Sequence, residues 1–181
     1  DQNWKLQYTL PNPVTHTMVA TDGRKNIWIA GGRMRNLNDK STMYAEVYCL
    51  DVTRKQLIKK DNLPYALAAG FATFIEPYFV VFGGDDAGTF HQVEALIGQI
   101  NQENDDAKRQ SLIEAKNNLQ INHPGFKPKV WALDTGKEKW MEWNDMLGES
   151  VVTTTAILYR QKIYIPSGEK KAGVRSNQIL V

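Results

Sequence analysis

YFVVFGG, residues 78–84, is the stretch on which the fold turns. Its first five residues are β-branched and aromatic with almost no polar break, as expected of a strand buried on both faces. The two glycines that follow permit positive φ and a close backbone approach, which a crowded sheet corner demands. The same mark appears twice more, as NIWIAGG at 26–32 and KIYIPSG at 162–168. The first two Gly-Gly pairs lie 52 positions apart. A second mark follows each of them: VYCLDVTRKQL at 47–57 and VWALDTGKEKW at 130–140, with Leu57 six places after Asp51 and Trp140 six places after Asp134. Trp4 matches that position in a preceding unit whose start is missing. Pro11 and Pro64 stand seven places after Trp4 and Leu57, and Leu147 takes the slot after Trp140.

Each mark has a structural meaning. Thr17–Thr21, Gly70–Ile75 and Val152–Leu158 precede the Gly-ended strands and supply antiparallel neighbours. Leu-Asp followed by a polar turn such as Asp-Thr-Gly-Lys predicts a hairpin into an outer strand that carries the large apolar residue. Four short strands per unit of about 50 residues is the kelch pattern, one propeller blade per repeat. Three marks in one register favour it over a β-sandwich with accidental glycine spacing. The expected fold is therefore all-β, a single kelch-type β-propeller domain with about three blades: 10–60, 63–143, and an incomplete one at 150–181. About 32 extra residues interrupt the middle unit, between roughly 85 and 125. Val93, Leu96, Ile97 and Ile100 share one helical face, as do Leu112, Ala115 and Leu119, so this insertion reads as an amphipathic helical pair lying across one face of the sheets. Asp105-Asp106 ahead of Lys108 and Arg109 suits a helix start. Long propeller insertions commonly border ligand sites, although such a pair can also simply cover apolar surface or mediate assembly.

Composition narrows the function. The 181 residues suffice for one domain with a sizeable core, and 22 basic against 20 acidic residues give a net charge of only +2, with no electrostatic case for nucleic acid. No apolar run approaches the ~20 residues that span a bilayer. Cys49 is the only cysteine, so no internal disulfide forms, and its apolar strand setting reads as core rather than nucleophile. His16, His91 and His123 are scattered without metal-ligand spacing, which argues against a metal site and against a copper radical oxidase on a kelch frame.

Four stretches together resemble the bacterial N-acetylneuraminate epimerases, the kelch-propeller sialic acid mutarotases, including their circularly permuted branch. They are WKLQYTLPNP with NIWIAGG, LPYALAAGFATF with YFVVFGGDDAGTF, VWALDTGKEKWMEW, and IYIPSGEKKAGVRSNQIL. The likeness covers nearly the whole chain, and the long insertion falls where that family has one. It implies a six-bladed ring that interconverts the α and β anomers of N-acetylneuraminic acid, without a cofactor and in the periplasm or another extracytoplasmic space. It implies Glu169 as proton acceptor and Arg175 as the partner of the sugar carboxylate. Lys170 or Lys171 is placed to donate to the ring oxygen, and Asp85, Asp86 and His91 are polar candidates at the insertion. Two positions depart from the family: Val14 stands where an Arg is usual, and Phe71 where a His is expected. With about three blades present, the chain is expected to be half of a longer polypeptide or to pair with a second chain that completes the ring. A non-catalytic kelch module that binds a glycan or a protein is the alternative; convergence of the named polar residues on one pocket would separate the two.

Overall fold

A computed structural model describes residues 3–37, 40–146 and 148–181. Leu147, the third residue of the seven-place series, lies outside the described residues. The first repeat forms a four-stranded antiparallel sheet of β1 (Met18–Thr21), β2 (Asn26–Ala30), β5 (Val47–Asp51) and β6 (Gln56–Lys60), in that spatial order; a small hairpin of β3 (Arg33–Met34) and β4 (Thr42–Met43) sits between its second and third strands. The second repeat has the same order in β7 (Phe71–Ile75), β8 (Tyr78–Phe82), β9 (Val130–Asp134) and β10 (Lys139–Glu142). Here α1 (Gly88–Gln102) and α2 (Asp106–Ile121) occupy the place of the small hairpin. The third sheet contains β11 (Ile157–Tyr159), β12 (Lys162–Pro166) and β15 (Ile179–Leu180), with the hairpin β13 (Glu169–Lys171) and β14 (Val174–Arg175) inserted at the same point. The chain is thus an all-β, kelch-type propeller segment. β7 packs beside β1, and β11 beside β7, so the first strand of each blade lies innermost.

The middle blade explains why YFVVF is apolar throughout. Phe79 and Val81 enter a core shared with the first blade, alongside Met18, Trp28, Ala30, Val47 and Cys49. Val80 and Phe82 enter a second core with Phe71, Val130, Val151 and Ile165. Alternate residues of one strand therefore fill two interfaces, and Phe79, Val80 and Val81 are fully buried. Trp28 stacks on Phe79 at 5.7 Å, and Trp140 meets the same ring edge-on at 6.3 Å. The Trp140 indole N–H donates to the Asp61 carbonyl at 3.0 Å, pinning the outer strand of one blade to the exit of the other. Cys49 lies in the first of these cores, where burial pushes its thiol pKa up to about 11, a structural residue rather than a nucleophile.

The third blade begins later than expected. Its first strand covers only Ile157–Tyr159, because Val152 makes an isolated bridge to Glu169 instead. Both helices are confirmed, with the Asp105 carboxylate accepting from the Lys108 N–H at 2.9 Å to cap α2. They pack against each other, and every residue of the pair keeps some exposure, Ile97 being 42% exposed.

The Leu-Asp marks close the outer hairpins. One Asp51 oxygen accepts from the Thr53 N–H, the Thr53 hydroxyl and the Arg54 N–H, while the other faces the Lys25 ammonium at 3.2 Å. Asp134 repeats this with the Gly136 and Lys137 N–H groups. The Thr53 hydroxyl and the Arg54 N–H, helped by Lys25 and opposed by burial, hold the Asp51 carboxyl far below the ordinary 3.8. The folded state therefore binds fewer protons at this site than the unfolded chain does. Its stabilising contribution is complete above about pH 4 and disappears as the pH falls through the lowered value. Asp51→Asn is expected to lower the urea midpoint at pH 7 and to approach the parent protein as the pH falls toward 2; parallel curves at all pH values would refute this.

Candidate functional site

The connections that carry the Gly-Gly marks all emerge on one face of the segment. The residue after the last glycine of each mark, Gly-Gly in the first two blades and Ser-Gly in the third, is charged: Arg33, Asp85 and Glu169. Each is fixed by a reciprocal pair of backbone hydrogen bonds, to Thr15, Ala68 and Val152 respectively. The next residue along each of those partner segments, His16, Ala69 and Thr153, has a positive φ of 58°, 62° and 54°. The Ala69 N–H donates to the His16 carbonyl at 2.9 Å, and the Thr153 N–H donates to the Ala69 carbonyl at 2.8 Å. A thread of main-chain bonds therefore runs from blade to blade around the axis at the mouth of the segment, and each blade places one charged residue beside it.

Glu169 and Arg175 stand opposite each other across the β13–β14 hairpin. One Glu169 oxygen accepts from the Gly173 N–H at 2.6 Å; the other faces the Arg175 guanidinium at 3.8 Å. The carboxylate side chain is 19% exposed and the guanidinium 65%, so the pair borders solvent on the Arg side. Asp85 accepts from the Ala87 N–H at 2.8 Å. Burial first, then the neighbouring Asp86 charge, raises its carboxyl pKa, against the opposing pull of Ala87, His123 and Arg33. Arg33 lies over the Phe90 ring at 4.3 Å, joining the mouth to the start of α1. Burial and the Arg33 charge lower the His16 pKa, favouring its neutral form. His123 is buried against Phe126, and its Nδ1 accepts from the Gly125 N–H, leaving Nε2 as the protonated nitrogen of the neutral ring.

A solved structure of YjhT superposes on 99% of this chain with a TM-score of 0.80 at 16% sequence identity. The chain has a YjhT-like fold. It spans 51% of the YjhT chain, about half its length, and at this identity the likeness is one of fold. No protein-family model and no curated protein sequence matches the chain.

In this YjhT-like frame the expected polar residues divide. Glu169 and Asp85 hold equivalent backbone positions in their blades, and Arg175 stands opposite Glu169 on the β13–β14 hairpin. Lys170 points to the other side of its strand and pairs with Glu149 at 2.5 Å, while Lys171 is exposed. Asp86 pairs with Lys127 at 2.7 Å; that contact and the Gly88 N–H outweigh the effect of burial and lower its pKa. His91 is turned away, its Nε2 lying 2.9 Å from the Ser41 carbonyl. Val14 lines a small apolar recess with Leu10, Ile29 and Tyr48. Phe71 is 3% exposed and stacks on Phe82 at 5.4 Å, so its position is in the core between the second and third blades rather than on the mouth. Arg33 is not among the sequence candidates and His16 stands there only as a scattered histidine, yet the strand-end glycine register that marks Asp85 and Glu169 marks Arg33 equally.

Ser41 anchors the helical pair to the first blade through Glu94 as well as His91. The Glu94 carboxylate accepts from both the Ser41 N–H at 3.1 Å and the Ser41 hydroxyl at 2.6 Å, and Ser41 is only 3% exposed. Glu94→Ala strands two buried donors and is expected to cost about 1–3 kcal/mol. Faster amide exchange across α1 and β4 with little change in β8 is the expected signature; uniform loosening of the whole sheet assembly would refute it.

Proposed function

We propose that the protein is a sugar-acid mutarotase that interconverts the α and β anomers of N-acetylneuraminic acid, acting at the charged mouth. The observation that carries this reading is the Glu169–Arg175 pair, set at the blade position that also presents Asp85 and Arg33. Anomer exchange requires a base to take the proton of the anomeric hydroxyl while the ring oxygen gains one; the ring opens to the ketone and recloses on either face. Glu169 is the base, its carboxylate aimed by the Gly173 N–H and balanced by Arg175. The Arg175 and Arg33 guanidinium groups offer planar forks for the substrate carboxylate. Asp85, whose carboxyl pKa is raised by burial, is the group assigned to deliver a proton to the ring oxygen. No cofactor enters this chemistry. The other blades of the ring come from the same precursor or from a second chain, and the extracytoplasmic setting remains part of this proposal.

The engagement of Lys170 with Glu149 and of His91 with Ser41 favours a second reading, a propeller module that binds glycans without turning them over. Proton NMR separates the two. α-N-acetylneuraminic acid is released in situ by a sialidase, and the β anomer is followed with and without the protein. Faster appearance of β supports the mutarotase. Line broadening of the sugar signals at an unchanged exchange rate supports the binding module.

A further inference from the structure

One buried titratable side chain has no part in the chemistry above. His123 is 6% exposed and stands just beyond the end of α2, on the segment by which the helical insertion returns to the second blade. That segment is clamped between two blades. The Lys127 N–H donates to the carbonyl of Gly84, the residue before Asp85, at 3.1 Å. The Ser150 hydroxyl donates to the Lys127 carbonyl at 2.7 Å. On the side of the third blade, a Cβ at Gly125 would lie 4.0 Å from the carbonyl oxygen of Lys170, the residue after Glu169. The strap that carries His123 thus runs between the chain around Asp85 and the chain around Glu169. His123 is also close enough for its charge to act on the Asp85 carboxyl.

The two ring nitrogens of His123 stand in different settings. Nδ1 accepts from the Gly125 N–H at 3.0 Å, which leaves the proton of the neutral ring on Nε2. Nε2 has no hydrogen-bond partner among the described residues. Trp28 Nε1 is the only fully buried side-chain nitrogen or oxygen among them that lacks one, so the His123 Nε2 is in contact with solvent. The ring is therefore packed against Phe126, locked in one tautomer by the Gly125 turn, and left with a single open donor. A histidine kept for packing alone would gain from satisfying that donor within the protein.

We propose that His123 is a ligand-binding residue of the mouth, its Nε2–H donating to the acetamido carbonyl of the bound sugar acid. The inference rests on the reading of the mouth as a sugar-acid site. In that reading the Arg33 and Arg175 forks take the carboxylate, Glu169 takes the anomeric hydroxyl and Asp85 serves the ring oxygen. The acetamido group stands on the ring carbon next but one to that oxygen, on the side that Asp85 and His123 share. A neutral N–H of fixed direction suits an amide carbonyl, which accepts and has no proton of its own to give.

The test follows the histidine directly. In the parent protein carrying isotope-labelled histidine, N-acetylneuraminic acid is expected to move the His123 Nε2–H signal downfield and to slow its exchange with water. The analogue with a hydroxyl in place of the acetamido group should move it little. His123→Asn keeps an acceptor for the Gly125 N–H, as an Asx turn does, but has no donor where Nε2 stood. It should weaken binding of N-acetylneuraminic acid by about 3–10-fold, the worth of one neutral hydrogen bond, and of the analogue by less than about 2-fold. Protection of the Gly125 amide from exchange checks that the turn persists. His123→Gln, whose amide N–H reaches the Nε2 position, should recover most of the affinity. A sugar that binds without moving the His123 signal, an Asn variant of parental affinity, or equal losses for the two sugars would overturn this assignment and leave the sugar-acid reading standing. A parent protein that binds neither sugar would overturn both.

Discussion

Gly31→Ala is expected to destabilise the protein by about 3–6 kcal/mol, a large fraction of the ~5–15 kcal/mol typical of a domain. Gly31 has φ +60°, and a Cβ there would sit 2.3 Å from the Leu67 carbonyl oxygen and 2.7 Å from the Met18 Cε. The methionine end can swing aside; the carbonyl cannot. It accepts from the Gly32 N–H at 2.8 Å, and the Gly31 N–H itself donates to Glu46 at 2.9 Å. Relieving the overlap means breaking one of these bonds, at about 1 kcal/mol, and spreading two blades at a cost of about 1–3 kcal/mol. The left-handed backbone adds about 1–2 kcal/mol for an alanine. Gly23→Ala is the matched control: its φ is +71°, but no atom lies within 4 Å of the added methyl, so only the backbone cost of about 1–2 kcal/mol applies. Urea midpoints for the two variants should therefore differ clearly. Equal losses would mean that the close approach at Gly31 carries no energy of its own.

The largest effect on activity is expected from Glu169→Gln. A positioned general base contributes about 10²–10⁴ to rate, and glutamine removes the base while preserving shape. Its amide oxygen can still accept from the Gly173 N–H, so the β13–β14 hairpin persists. The lost attraction to Arg175 acts over 3.8 Å at a largely exposed guanidinium and contributes under about 1 kcal/mol to stability. Anomer exchange should fall by that factor of 10²–10⁴ with an unchanged urea midpoint. Arg175→Lys keeps the charge but loses the planar fork, so it should raise KM more than it lowers kcat. An undiminished rate in Glu169→Gln would move the base to another residue of the mouth, with Asp85 first in line.

The architecture was legible because its determinants are local. YFVVF announces two buried faces, and Asp51 and Asp134 each close a turn within three residues of themselves. The Asp105 cap is equally local. What could not be read depends on partners distant in sequence. Lys170 and Glu169 are neighbours, yet strand alternation sends one to Glu149 and the other to Arg175. His91 looks like a site residue until Ser41, 50 positions away, takes up its ring nitrogen. Phe71 stands in an innermost strand, but the neighbouring Phe82 decides that it packs rather than faces the axis. The left-handed residues His16, Ala69 and Thr153 carry no shared side-chain type, so their common role is visible only in the main chain.

That main-chain thread has an evolutionary corollary. Because the main-chain groups of Arg33, Asp85 and Glu169 make the reciprocal bonds to Thr15, Ala68 and Val152, those three anchors do not depend on which side chain stands at 33, 85 or 169. A duplicated blade inherits the socket and leaves its occupant open to drift. Ligand preference can then be rewritten one substitution at a time, while the sheets that present it remain under separate selection.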